Sequence, residues 1–257
     1  LNLLRSYLAA QTDPILSWAA VTPDMLQRYI DTLRRTGCSA ATVARKLASF
    51  RAFYRYLIST GAVEENPAVE LEAPAIKRQP GTVISRADME RLRQAPADNM
   101  DTPKGIRDRA LLELLCTTGL RVSEVAMLGL DDVDLEAGTV VGAGQTSHER
   151  VIHLPAEACK WVVQYVEQGR AHLLKNPDEK TLFLNHRGHP LTRQGIWLII
   201  KGYARQIGLA DVVTPSALRR TVAIRLLDNG VERAKIQQLL GHASATTTRA
   251  YTRHTAR

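Results

Sequence analysis

Cysteine is scarce in this chain: Cys38, Cys116 and Cys159 are odd in number and far apart. No pairing of spacings suggests a disulfide framework or a thiolate zinc site, so a reducing, cytoplasmic setting is expected. Long apolar runs are also missing, and nothing approaches the roughly eighteen residues of a membrane-spanning helix. No signal peptide opens the chain, and the N-terminus at Leu1, without methionine, reads as incomplete. There is no glycine-rich loop to cradle a nucleotide phosphate. His153, His172, His186, His189 and His254 lack metal-ligand spacing. Acidic residues are in deficit, 26 against 34 Lys and Arg, which leaves a formal charge of +8 and points to a polyanionic partner. With 257 residues and 45% hydrophobic content, one or two globular cores can form.

Residues 1–72 show helical spacing and no strand alternation, and residues 1–10 read as the remnant of a longer helix. Thr22, Pro23 and Asp24 make a helix start: a capping oxygen, a proline in the first turn and an acid. That helix is expected to stop before Gly37, and Ser39 opens the next. Val43, Leu47, Phe50, Tyr54 and Leu57 are spaced four, three, four and three, one apolar face. From Arg28 to Arg55 stand seven basic residues (Arg28, Arg34, Arg35, Arg45, Lys46, Arg51, Arg55) and one acid, Asp31. Scattered charge usually marks a solvated helix face, but this excess over two helices points to a phosphate-contacting surface. Arg45, Lys46, Arg51 and Arg55 are its expected contacts.

Asn66 and Pro67 end the bundle, and residues 73–83, with Pro74, Pro80 and Gly81, read as a linker rather than packed structure. Residues 84–257 form a second, mixed domain. Ser85 caps its first helix, with Asp88 three residues on. Residues 106–116 read as a buried helix, 122–130 as another, and 133–155 as the one convincing β region, alternating at 151–154. Residues 156–174 are expected to be helical, with Trp161 and Tyr165 as core rather than base-stacking groups. Thr192 opens a further helix, and Arg193 in its first turn either meets phosphate or is simply exposed. From Lys201 to Arg257 ten Lys and Arg stand against three acids, with Arg220 a further expected phosphate contact. The fold class is therefore mainly α with a small β-hairpin or sheet, in two domains.

Chemistry concentrates toward the end. Arg219 lies on one helix, His242 follows the next, and Tyr251 comes nine residues later. Arginine, histidine and tyrosine in that order suit attack on a phosphodiester by a phenol oxygen. The phosphate gains negative charge and needs fixed cationic donors, which a guanidinium supplies as a planar fork. Tyrosine is an accepted covalent nucleophile. A second arginine, Arg121, stands where an apolar helix stops at Gly119.

With TGLRVSE at 118–124, LRRT at 218–221 and LLGHASATTTRAYT at 239–252, the chain resembles the tyrosine recombinase (phage integrase) family, most closely its bacterial Xer-type members. The resemblance implies an N-terminal SAM-like core-binding bundle, here with its first helix shortened, and an α+β catalytic domain. It further implies double-stranded DNA with a specific recombination site as partner, a homotetramer or a heterotetramer with a related recombinase, and no metal or other cofactor. By resemblance Tyr251 forms a 3′-phosphotyrosine bond, Arg121 and Arg219 bind the non-bridging oxygens, and His242 assists. Glu124 would then either hold Arg121 or form an ordinary surface pair.

Two positions depart from the family pattern. Ser216 stands where the family usually has histidine, three residues before the second arginine. In GQTSHER, 144–150, Gln145 (or Ala143 with another gap) takes the place of the family lysine, and His148 falls where a second, less critical lysine usually lies. Glutamine cannot protonate a leaving oxygen, and loss of a general acid typically costs about 10²–10⁴-fold. His148 is a candidate stand-in. Alternatives are a catalytically silent DNA-binding relative, natural or engineered, and a type IB topoisomerase-like nicking-closing enzyme. Only six residues follow Tyr251, so either the chain as given is shortened or its subunits couple differently from those of the family.

Overall fold

The structure, a computed structural model, describes residues 1–10, 17–76, 81–142 and 149–241. Gln145, His148, His242 and Tyr251, with the alternative Ala143, lie outside the described residues. The chain divides into two compact units, Leu1–Gln79 and Pro80–Arg257.

The first unit contains helices α1 (Asn2–Ala9), α2 (Pro23–Arg35) and α3 (Ala40–Ser59). The Thr22 hydroxyl accepts from the Met25 N–H at 3.3 Å, with Pro23 in the first turn, and Ser39 accepts from Thr42 at 3.2 Å. Both helix starts therefore lie where local chemistry places them. Val43, Leu47, Phe50 and Tyr54 of α3 are buried with Leu4, Leu8, Leu26 and Ile30, and Leu57 packs at the edge of this core. Arg28, Arg34, Arg35, Arg45 and Arg55 are exposed, whereas Lys46 is half-buried with its ammonium 6.0 Å from the Tyr29 ring centroid.

Arg51 departs from the expected phosphate-contacting face. Its guanidinium turns inward and donates to the carbonyls of Ala68 at 2.9 Å, Val69 at 3.3 Å and Leu71. The reason is the tail of the unit: Leu71 is buried, and the turn and bend leading to it leave carbonyls without helix or sheet partners. Asn66 completes the strap by donating to the Arg51 carbonyl at 3.2 Å.

In the second unit, α4 (Arg86–Gln94) begins at Ser85, whose hydroxyl accepts from the Asp88 N–H at 3.0 Å. Then α5 (Pro103–Thr118) runs through the core, buried on every side, and ends at Gly119 in the left-handed region at φ 63°. A four-residue α6 (Val122–Val125) follows, shorter than the helix expected over 122–130. The chain leaves the helix to join residues 180–182: the Leu130 N–H donates to the Lys180 carbonyl at 2.8 Å and Leu182 to Leu128 at 2.7 Å. Strands β1 (Val133–Asp134), β2 (Thr139–Gly142) and β3 (Arg150–His153) form an antiparallel sheet in that order, with Val140 opposite Ile152 and Gly142 opposite Arg150.

Helix α7 (Ala156–Gln164) continues through a π turn at Tyr165–Arg170 into α8 (Ala171–Leu173). Tyr165 is buried and stacks on Phe183, centroids 5.3 Å apart, as a core residue. Helices α9 (Arg193–Gln206), α10 (Pro215–Asp228) and α11 (Arg233–Leu240) follow. The end of the stretch read as an unpacked linker is held here, Arg220 donating to the Thr82 carbonyl at 3.1 Å, and just beyond it the Ile84 N–H donates to buried Thr221 at 2.9 Å. No described helix is long and apolar enough to cross a membrane.

Candidate active site at the end of α11

Arg121 caps α6 immediately after the Gly119 turn, and Arg219 lies in the second turn of α10, whose start is fixed by Thr214 and Pro215. Nearly a hundred residues apart in sequence, the two guanidinium groups meet at the C-terminal end of α11. Arg121 Nη2 donates to the Gly241 carbonyl at 2.6 Å, and Arg219 Nη2 donates to the neighbouring Leu240 carbonyl. The last carbonyls of a helix lack intrahelical donors and carry partial negative charge, so cations belong there. Arg219 Nη1 also reaches the Gly119 carbonyl at 2.7 Å. A side chain at Gly119 would strain its positive φ and meet Leu240 Cδ2 at 3.0 Å, so glycine lets the two helix ends close on each other.

Glu124 organises this meeting point. Its side chain is 1% exposed and binds the Arg121 guanidinium at 3.0 Å and the Arg121 backbone N–H at 2.6 Å. Arg219 Nη1 lies 3.9 Å from its other oxygen. The ordinary surface pair is thereby excluded.

Arg150, which the sequence reading left out, makes the most extensive contact with Glu124. Its Nη1 and Nη2 reach the two carboxylate oxygens at 2.9 and 3.0 Å, and its Nε donates to the Leu239 carbonyl at 2.6 Å. Burial acts to raise the pKa of Glu124. The fork from Arg150 and the Arg121 N–H outweigh it and hold the carboxyl below its usual range. The described cluster thus sets three guanidinium groups against one carboxylate, an excess of two positive charges. Side-chain exposure rises from 6% at Arg150 and 11% at Arg219 to 38% at Arg121, so Arg121 is the cation most open to an arriving anion. A signal for Arg150 existed in β3: with Val151 exposed and Ile152 buried, alternation turns Arg150 inward, where a charge demands a partner.

Ser216 is exposed in the first turn of α10, three residues before Arg219. Arg193 is exposed at the first position of α9, and the half-buried Arg220 is engaged with Thr82. Neither is bonded into the Glu124 cluster. No group of three or more His, Cys, Asp or Glu among the described residues could hold a metal ion.

Comparison with known proteins decides the family. Residues 82–257 match the phage integrase family, and residues 1–61 match the phage integrase N-terminal SAM-like domain. The chain belongs to the phage integrase family. It is 37% identical over 236 residues to tyrosine recombinase XerC of Herpetosiphon aurantiacus, covering 92% of this chain and 76% of that protein. It is 38% identical over 237 residues to tyrosine recombinase XerD of Listeria innocua, covering 90% and 79%. Among solved structures, XerA recombinase matches with TM-score 0.60 at 25% identity over 98% of this chain and 83% of that one. The Tn1549 transposon integrase in complex with transposon right end DNA shares the fold at TM-score 0.79 and 18% identity, over 97% and 86%. The helical bundle and mixed second domain of this phage integrase family member are thus those of the tyrosine recombinases.

Proposed function

We propose that this chain is a site-specific DNA recombinase that cuts and rejoins duplex DNA through a 3′-phosphotyrosine intermediate. The observation that carries the reading is the convergence of Arg121 and Arg219 on the end of α11, one residue before His242 in sequence. In the reaction the Tyr251 oxygen bonds to phosphorus, the phosphorus–O5′ bond breaks, and the 5′-oxygen leaves with a proton. Arg121 and Arg219 bind the non-bridging oxygens, where charge accumulates in the transition state. His242 hydrogen-bonds the phosphate or moves a proton. The partner is duplex DNA carrying a recombination site, bound by subunits in a tetramer. The +8 formal charge and the exposed Arg45 and Arg55 fit such a partner, whereas Arg51 serves its own unit. Arg193, Arg220 and half-buried Lys46 are further candidate phosphate contacts.

Proton delivery is the weak step. Gln145 has no useful proton to give and Ser216 offers at most a hydrogen bond, so strand transfer is slow unless His148 stands in. The same two residues favour a second reading, a DNA-binding protein that does not cut. The duplex that the protein selects from a random-sequence pool, nicked so that cleavage traps the enzyme, separates the two. Covalent adduct on a denaturing gel, absent in Tyr251→Phe, supports the recombinase, and Gln145→Lys is expected to raise its rate by about 10²-fold or more. Tight binding with no adduct from either the unaltered chain or Gln145→Lys overturns it.

A further inference from the structure

Arg150 is the most enclosed of the three described guanidinium groups at the site. Its fork closes on both oxygens of Glu124, its Nε holds the Leu239 carbonyl at 2.6 Å, and its Nη1 also reaches the Gly142 carbonyl at 3.2 Å. One planar group therefore ties α6, the end of β2 and the last turn of α11. Two glycines make the room. A Cβ on Gly142 would sit 3.0 Å from Arg150 Cζ, and one on Gly241, already at φ 60°, would sit 2.9 Å from Arg150 Nη1.

We propose that Arg150 is a positioning residue for the cutting reaction, one that touches no DNA but holds the phosphate-binding Arg121 and the end of α11 in a single geometry. The inference rests on the recombinase reading above. Arg121 is the most exposed member of the cluster, and a long side chain at the edge of solvent keeps its direction only if its anchor is rigid. The anchor is Glu124, and Arg150 fixes both Glu124 oxygens. The same guanidinium fixes the carbonyl end of α11, to which Arg121 Nη2 is also bound. A lysine cannot reproduce this role, because one ammonium cannot make a two-point fork and still donate along a third direction. Misplacement of a reacting geometry by about 1 Å can cost 10²-fold in rate.

The test uses the full chain and the selected nicked duplex, with whichever of the unaltered protein or Gln145→Lys forms adduct as the parent. Arg150→Lys and Arg150→Met are expected to bind the duplex within about threefold of the parent, while single-turnover adduct formation falls about 10²-fold. In an Arg121→Lys background, adding Arg150→Met is expected to slow the reaction by no more than about twofold, since the two act as a unit. A merely structural arginine would instead lower binding and cutting together, and its effect would multiply with that of Arg121→Lys. Should Arg150→Met fail to fold, Arg150→Lys, which retains a cation beside Glu124, decides the matter in the same cycle. Cutting by Arg150→Lys at the parent rate, or a multiplicative cycle, overturns the proposal and leaves the recombinase reading intact. Absence of any Tyr251-dependent adduct from both parents removes that reading, and this proposal with it.

Discussion

Glu113 and Glu124 are both buried in the second unit, both paired with arginines, and their protons behave oppositely. Each Glu113 oxygen receives one arginine bond, from Arg109 at 2.7 Å and Arg93 at 3.2 Å. Each Glu124 oxygen receives two, from Arg121 Nη1 and Arg150 Nη1 on one side and from the Arg121 N–H and Arg150 Nη2 on the other. Burial pushes the Glu113 carboxyl up, and its two arginines do not reverse it. Burial acts the same way on Glu124, but four donors overcome it. The arginines differ as well. Arg93 is shared with Glu90, Arg109 lies over the Trp161 ring at 4.7 Å, and the Nε of each is buried without a partner among the described residues. Around Glu124 the guanidinium groups also reach backbone carbonyls, and Arg121 is the most exposed of the three. A fully satisfied carboxylate makes a rigid base for a cation, whereas a half-satisfied one only fills a core.

The largest break of this comparison removes the carboxylate. Glu124→Leu leaves buried Arg150 without its counter-charge, and about 3–5 kcal/mol of stability should be lost. That lowers the melting temperature by roughly 6–20 °C at 2–4 °C per kcal/mol and abolishes adduct formation. Glu113→Gln should cost less, and adduct formed per folded molecule should match the parent. Equal loss of cutting in Glu113→Gln would mean that the two clusters are not distinct in function.

Acid titration sharpens the contrast with a smaller effect. The Glu124 carboxyl, facing Arg121, Arg150 and Arg219, is depressed in the folded state. Its contribution is present above the unfolded value near 4.5 and is lost as pH falls through the lower folded value. Glu113, facing Arg93 and Arg109, is raised, so the folded state holds its proton more tightly. Stability from that proton is lost as pH rises from 4.5 through the higher folded value. Denaturation profiles should therefore fall less steeply below 4.5 in Glu124→Gln and less steeply above 4.5 in Glu113→Gln. Profiles that both move in one direction would contradict the assignment.

The smallest effect concerns Cys116, whose thiol burial, and then the Glu113 charge, push up to about 12. Iodoacetamide at pH 8 should label the partly exposed Cys38 and Cys159 well before Cys116, because the thiolate is the reacting form. Peptide mapping after timed quenching reads the order, and early labelling of Cys116 would show that α5 opens readily.

Local signals were legible where local chemistry acts alone. Thr22, Ser39, Ser85 and Thr192 cap the helices they were expected to open, and Gly119 ends α5 in the left-handed region. The alternation at 151–154 correctly announced a strand. Where distant backbone competes, that reading failed. Residues 128–130 leave their helix to pair with residues 180–182, and Arg51 looked like a member of a basic face until carbonyls seventeen to twenty residues away claimed it.

The same division runs through the site. Motif order and spacing named Arg121, Arg219 and Glu124 as candidates, and the structure brings their three side chains together. Only the tertiary structure decided which carboxylate becomes an anchor, and that Arg150 locks it. That decision depends on distances of about 3 Å between groups up to 120 residues apart and on their exclusion from water. Charge interactions strengthen steeply under those two conditions, and neither is encoded in local propensity or periodicity.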